Sequence, residues 1–256
     1  MRRLVREVGP PLAGIVGLIV VWWIAAELTS SASLPTPAVV WNAFLRGMSD
    51  GTIPEAAVKT LIRLVFSFAM AISIGTLIGV GLALNEFARR SIRPIVVALQ
   101  ITPFIAWLPL AVVWFGATER AVVFVTIVGA FPSMTLATMS AMRQVPPLLK
   151  RAGRTLGAEG WPLYRHVIFP AALPGYIAGL QQAWGFAWKA LMAAELIVTA
   201  AGAVGLGQLL ARSQDDVPTL LAALGVIVVI GVLVDYLVFN RLDRHVRRRR
   251  GLLIEG

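Results

Sequence analysis

RAGRTLGAEGWPLYRHVIFPAALPG, residues 151–175, is a compact basic segment punctuated by glycine and proline, set between runs that are almost wholly apolar. A plain connection between two helices needs only a handful of polar residues. This stretch is longer and more patterned than that. Just upstream, Pro146-Pro147 stops a helix, because proline lacks a donor and disfavours helix in the residue before it. From Leu148 a helical period resumes. Leu148, Leu149, Ala152 and Leu156 fall on one face, with Lys150, Arg151 and Arg154 largely on the other. Gly157 and Gly160 bracket Ala158-Glu159 as a break where the chain turns. Trp161-Pro162 opens a second short helix with Leu163, Tyr164, Val167 and Ile168 as its apolar face, and Phe169-Pro170 and Leu173-Pro174 lead into the next apolar run. The pattern predicts a helix–turn–helix hairpin lying along a surface.

That surface is a membrane. The chain has 256 residues, 58% of them hydrophobic and 14% charged, with a mean hydropathy of +0.79. So few charges cannot solvate a globular surface of this size. Several runs approach the ~20 apolar residues that cross a ~30 Å hydrocarbon core. They are continuous rather than alternating, which excludes β-barrel strands. We read an all-α, polytopic membrane protein of one transmembrane domain, 1–256. Its six spans are placed near 12–28, 61–84, 94–115, 121–142, 174–199 and 219–239. Pro94 opens the third span, Asn85 and Gly116 follow the second and third, and Pro218 precedes the sixth. The basic, apolar N-terminus resembles a signal peptide, but Trp22-Trp23, Glu27 and the lack of an Ala-x-Ala site favour an uncleaved helix.

The net charge of +10 raises nucleic acid as a partner, but the charges gather at the ends of apolar runs, and we read no nucleic-acid binding. On one set of ends stand Arg2, Arg3, Arg6, Arg89, Arg90, Arg93, Arg143, Lys150, Arg151, Arg154, Arg165, Arg241, Arg244 and Arg247 to Arg250. The other set has Arg46, Lys59, Arg63, Arg120 and Arg212, a bias of 17 to 5. It puts both termini and the 143–173 loop in the cytosol, with lipid headgroups as neighbours of the basic tail. Residues 29–60 then lie outside, with a short interfacial helix from Pro37 anchored by Trp41 and a turn at Asp50-Gly51. The chain has no cysteine, and its two histidines cannot make a metal site alone.

Ionisable groups at membrane depth face a partner or a cavity. Lys189 and Glu195 are six residues and about 600° of rotation apart, so they point to different sides. Lys189 reads either as half of a pair with another helix or as a positive element in the path of an anion. Asp235 reads as a helix-end partner for an arginine. Pro103, Pro109 and Pro132 free backbone groups that protein or a cavity must satisfy. The third and fifth spans are therefore placed beside a translocation path, with Pro103, Trp107, Trp184, Trp188, Lys189 and Glu195 as candidate wall residues. Gly75/Gly79 and Gly175/Gly179 are small-xxx-small spacings that permit close helix approach.

The order Ala152, Gly153, Gly157, Ala158, then Phe169, Pro170, Leu173, Pro174 resembles the EAA loop of permease subunits of bacterial ABC importers. In that pattern Glu-Ala-Ala is followed by a Gly four residues beyond the second Ala, and an apolar stretch closes in Leu-Pro. This chain departs at the head, with Arg151 for the glutamate and Gly153 for the second alanine. Leu34-Pro35-Thr36-Pro37, TPFIAWLPLAVVWFG (102–116), Ala194-Glu195-Leu196 and Gly205-Leu206-Gly207 are similar to the nitrate/sulfonate/taurine branch, so the resemblance covers about 34–243. It implies a type I importer permease of the bacterial plasma membrane, working as a homodimer with two copies of a separate ATPase and an extracytoplasmic solute-binding protein. ATP and Mg would be bound by the ATPase, with no cofactor in this chain. Ala152, Arg154, Leu156, Gly157, Ala158, Trp161 and Tyr164 would face that ATPase. The branch implies a small anion such as a sulfonate, taurine or nitrate, while the tryptophans leave open an aromatic or heterocyclic vitamin precursor. The chain holds no Gly-rich phosphate loop with a following Lys-Ser/Thr. A gradient-driven secondary transporter is the rival reading, and it calls for inverted repeats that the sequence does not show.

Overall fold

The computed structural model describes residues 2–29, 33–198 and 204–249. Among them every regular element is helical. The chain runs α1 (Arg2–Thr29), α2 (Pro37–Ser49), α3 (Thr52–Leu84), α4 (Glu86–Ile101), a 3₁₀ turn (Phe104–Trp107) and α5 (Leu108–Phe115). It continues through α6 (Glu119–Arg143), α7 (Pro147–Thr155), α8 (Trp161–Leu163), a π turn (Tyr164–Ile168) and α9 (Phe169–Ile197). Then come α10 (Leu206–Arg212), α11 (Val217–Val234), a second π turn (Asp235–Phe239) and α12 (Asn240–Arg249). Thr199, the last residue of the expected fifth span, lies outside the described residues.

The centre of the bundle is α6, sandwiched between α3 and α9. Large apolar side chains point outward, with Leu18, Leu77, Ile101, Val113 and Val232 all more than half exposed. Lipid tails are as apolar as leucine, so helices in a bilayer associate by close van der Waals contact rather than by hydrophobic drive. The glycine pairs supply that contact. A Cβ at Gly75 would sit 2.7 Å from Met134 Cβ, and one at Gly79 would sit 2.6 Å from the Thr135 carbonyl oxygen. On the opposite flank, a Cβ at Gly175 would meet Ala141 at 3.0 Å, and one at Gly179 would overlap Ala137. Both small-xxx-small spacings therefore serve one helix, α6, from two sides.

By length and hydropathy, α3, α6 and the continuous helix Val217–Val246 each qualify as spans. A fourth is the pair α4 and 104–115, bent by 97°. The apolar stretch of α1, Ala13–Thr29, is shorter, and α9 is 29 residues long but carries Gln181, Gln182, Lys189 and Glu195.

Four expectations are corrected. The third span does not open at Pro94: α4 starts at Glu86, where the Asn85 side chain caps it by accepting from Ala88 N at 3.1 Å, and Pro94 lies inside it. The span then breaks at Thr102-Pro103, both in extended backbone. The second arm of the hairpin is not a separate helix, because α8, the π turn and α9 run on from Trp161 to Ile197. The π turn widens the helix just ahead of Pro170, which occupies the first turn of α9, where its missing donor costs little. The sixth span likewise runs from Val217 through its own π turn to Arg249. Asp235 pairs with no arginine among the described residues; its Oδ1 accepts from Gln181 Nε2 at 2.9 Å.

Candidate functional site

Three places gather the residues singled out above: the hairpin, the broken span, and a polar cluster at the opposite end of the bundle.

In the hairpin, α7 ends at Leu156, and the turn is closed by Gly157 N–H donating to Arg154 O and Ala158 N–H donating to Gly153 O, both at 2.9 Å. Gly157 and Gly160 have φ of +82° and +57°, the left-handed region that favours glycine. A Cβ at Gly153 would meet Leu163 Cδ1 and Val167 Cγ2, each at 2.9 Å, so the second arm lies directly on this residue. That crowding is a physical reason for glycine where the loop pattern has alanine. Leu163 and Ile168 are buried with Met142 and Val145, as the apolar face predicts, and Ala158 and Tyr164 pack half-buried against them. Outward stand Ala152, Arg154, Leu156 and Gly157, all exposed, with Leu156 88% and Trp161 63% exposed. An exposed leucine and tryptophan flanking a rigid turn make a surface fit for docking.

In the broken span, Thr102 N and Oγ1 both donate to Ala98 O, closing α4, and Pro103 starts a 3₁₀ turn that swings the chain into α5. The bend opens a cavity of about 200 Å³ lined by Gln100, Thr102, Phe104, Trp107, Gly129 and Phe186. Trp107 Nε1 is buried and has no hydrogen-bond partner among the described residues. An orphaned buried donor costs roughly 1–3 kcal/mol and calls for an acceptor. Pro103 and Trp107 both line this cavity.

The other proposed wall residues separate. Trp184 and Trp188 stack at 6.0 Å inside the core beside Phe68 and Phe239, so they do not reach the outward face of α9. Lys189 is exposed, and no partner for it is found among the described residues. Gln182, two turns away on the same face, is exposed as well. Glu195 is fully buried and is no wall residue. It accepts from Arg63 Nη1 at 2.7 Å, from Thr60 Oγ1 at 2.9 Å and from Gly207 N–H at 3.0 Å. Arg63 Nη2 reaches Glu119 Oε1 at 2.7 Å, and Leu206 N–H donates to Thr60 Oγ1 at 2.8 Å. A Cβ at Gly205 or Gly207 would run into Glu195. The Ala194-Glu195-Leu196 and Gly205-Leu206-Gly207 segments therefore form one structure, an acid clasped by a glycine turn. Thr60 was not singled out in the sequence, Arg63 was noted only as an outer charge, and Gly205-Leu206-Gly207 was noted only as part of the resemblance; the long separation between these segments hid the link.

Comparison with known proteins matches residues 71–250 to the family described as Binding-protein-dependent transport system inner membrane component. The taurine transport system permease protein TauC of Escherichia coli (strain K12) is 30% identical over 241 residues, covering 91% of this chain and 86% of that protein. The bicarbonate transport system permease protein CmpB of Synechococcus elongatus is 30% identical over 238 residues, 88% and 84% of the two chains. The nitrate import permease protein NrtB of a Synechocystis strain is 27% identical over 236 residues, again 88% and 84%. An inward-facing structure of the MetNI methionine ABC transporter shares the fold with a TM-score of 0.63 at 24% identity, covering 76% of this chain and 95% of that one.

Proposed function

The chain belongs to the family of binding-protein-dependent transport system inner membrane components, and from that premise we propose how its parts divide the work of an ATP-driven importer. It is a multi-pass inner-membrane permease subunit of the nitrate/sulfonate/taurine branch, a transport component without an ATPase site of its own. In our reading it has six spans and cytosolic termini, and it pairs with a second copy, two ATPase subunits that bind ATP and Mg, and an extracytoplasmic binding protein.

The hairpin is the ATPase handle. Supporting this, Leu156 and Trp161 stand outward around a turn fixed by two left-handed glycines, while the other side of the hairpin is bolted to the end of α6 through Gly153, Leu163 and Met142. A push on Ala152, Arg154, Leu156, Gly157, Ala158, Trp161 or Tyr164 then passes into α9 without a joint, because helix continues from Trp161 to Ile197. Stoichiometric copurification of an ATPase with the full chain tests the assignment. Solute uptake driven by a proton or sodium gradient with the chain alone contradicts it.

The solute path runs between the broken span and the outward face of α9. Lys189 and Gln182 support this, since a charge on a membrane helix is costly against lipid and stable beside water or a counter-charge. Pro103 and Trp107 frame a subsite, and Trp107 Nε1–H supplies a donor for an oxyanion. We assign a small anionic solute of the sulfonate, taurine or nitrate type. The aromatic walls Phe104, Trp107 and Phe186 favour a planar heterocycle as the second reading. Trp184, Trp188 and Glu195 leave the path and shape it from behind.

A further inference from the structure

A second cavity, of about 290 Å³, lies at the root of the hairpin, between it and the ends of α3 and α6. Its polar lining is Arg143 from the last turn of α6, Lys150 and Arg154 from α7, and Tyr164 from the head of the second arm, over a floor of Met142 and Leu163. Lys150 and Arg154 are one helical turn apart, so the spacing of α7 itself aims both at the same space. Pro146-Pro147 ends α6 and sets α7 back beside Arg143.

Three cations around one cavity repel each other unless negative charge lies among them. The carboxylate at hand is Glu86, 4.0 Å from Arg143 Nη1, and it is already engaged by Arg89 and Arg90. No ion pair joins Lys150 or Arg154 to any described carboxylate. The Tyr164 hydroxyl has no hydrogen-bond partner among the described residues either. Two guanidinium forks, an ammonium and a phenol around a polar void of this size suit a tetrahedral oxyanion with several acceptor oxygens.

We propose that this cavity is an anion site for a phosphate group, clamped by Arg143, Lys150, Arg154 and Tyr164, which rivets the hairpin to α6. The group arrives as a phospholipid headgroup or as free phosphate, and both present unesterified anionic phosphate oxygens. Bound, it neutralises the cluster and ties α7 to the elements behind it. The site thus sets how stiffly the hairpin transmits a push. It is separate from the solute path; its effect on the push rests on the ATPase-handle reading, whereas anion binding itself does not.

The test uses the full chain alone in dodecyl maltoside micelles, which carry no phosphate, with hydrogen exchange over 144–168 as the readout. In one arm inorganic phosphate is titrated; in the other, phosphatidylglycerol is raised in phosphate-free buffer. Saturable protection of 144–168 in either arm supports the site, and the arm that saturates lower names the source. Lys150→Gln and Arg143→Gln each weaken the apparent affinity about tenfold, the scale of one charged hydrogen bond. Arg93→Gln, a cation on α4 outside the cavity, leaves it unchanged. Far-ultraviolet circular dichroism matching wild type keeps folding out of the comparison. No protection in either arm, or equal weakening by Arg93→Gln and Lys150→Gln, overturns the proposal.

Discussion

Arg63 Nη1 lies 2.7 Å from Glu195 Oε1, with Arg63 6% and Glu195 0% exposed. The two residues are 132 positions apart, and this contact ties α3 to α9 at the end where α10 folds back. Removing Glu195 leaves Arg63 Nη1, Thr60 Oγ1 and the Gly207 N–H without their acceptor, while Arg63 Nη2 keeps Glu119. We expect Glu195→Ala to cost about 1–3 kcal/mol. Glu195→Gln, which keeps an oxygen for Thr60 and the Gly207 N–H, should be milder. Thermal unfolding in detergent, followed by loss of the monodisperse gel-filtration peak, ranks the two. Equal stability of Glu195→Ala and wild type would remove the clasp from the account.

Close approach of α9 to α6 rests on Gly179, whose added Cβ would overlap Ala137. Gly179→Leu should drive the helices apart and cut the yield of folded protein sharply, since overpacking a tight contact costs ~1–3 kcal/mol or more. Gly185, with nothing near its Cβ position, is the matched control and should accept alanine. A gel-filtration comparison of the two variants reads the difference directly.

Trp107 offers a choice of sign. If its buried Nε1–H is only a misfit, Trp107→Phe relieves an unsatisfied donor and stabilises the chain. Our path assignment predicts a different readout: fold unchanged, and the solute concentration for half-maximal uptake raised roughly fivefold or more, one lost hydrogen bond. Lys189→Gln should weaken anion uptake while Lys189→Arg retains most of it. Uptake in proteoliposomes across these three variants separates donor from charge.

Glu86 sits at the head of α4, where the Arg90 guanidinium, with Arg89 beside it, holds its carboxyl below the usual carboxylate range. A depressed folded-state pKa gives stability that is present above the unfolded value and lost as pH falls through the folded one. The protection factor over the first turns of α4, which is exchange corrected for its intrinsic pH dependence, should therefore fall on acidification through that range. Glu86→Gln should show a low protection factor at every pH. A wild-type protection factor independent of pH contradicts the assignment.

The hairpin was readable because its signals are local: prolines that stop helix, glycines that permit positive φ, and a 3.6-residue apolar period. Gly157 and Gly160 behave as read. The glycine pairs were readable as close contacts but not as contacts with the same helix, since spacing names a face and not its neighbour. The continuity of α8 into α9 was missed because Pro170 and Pro174 look like breaks, and the π turn just ahead of Pro170 has no sequence mark. Glu195 was misread for a related reason. A carboxylate in an apolar run looks like a wall residue until its partners, here Thr60, Arg63 and Gly207, arrive from distant segments. Trp184 and Trp188 faced inward for want of any signal but size.

The central claim is that the hairpin carries the force of ATP hydrolysis into α9. Gly157 is its most direct probe, being exposed, with no atom within 4 Å of a Cβ placed there and φ of +82°. A bulky residue there fills the docking face without touching the bundle, at a backbone cost of about 1–2 kcal/mol. The measurement is the ratio of solute imported to ATP hydrolysed in proteoliposomes holding the full complex, for wild type, Gly157→Asn and Gly157→Trp. Asparagine tolerates this conformation and should keep the ratio near wild type. The account predicts that Gly157→Trp inserts normally but hydrolyses ATP with uptake largely lost. An unchanged ratio in Gly157→Trp contradicts it.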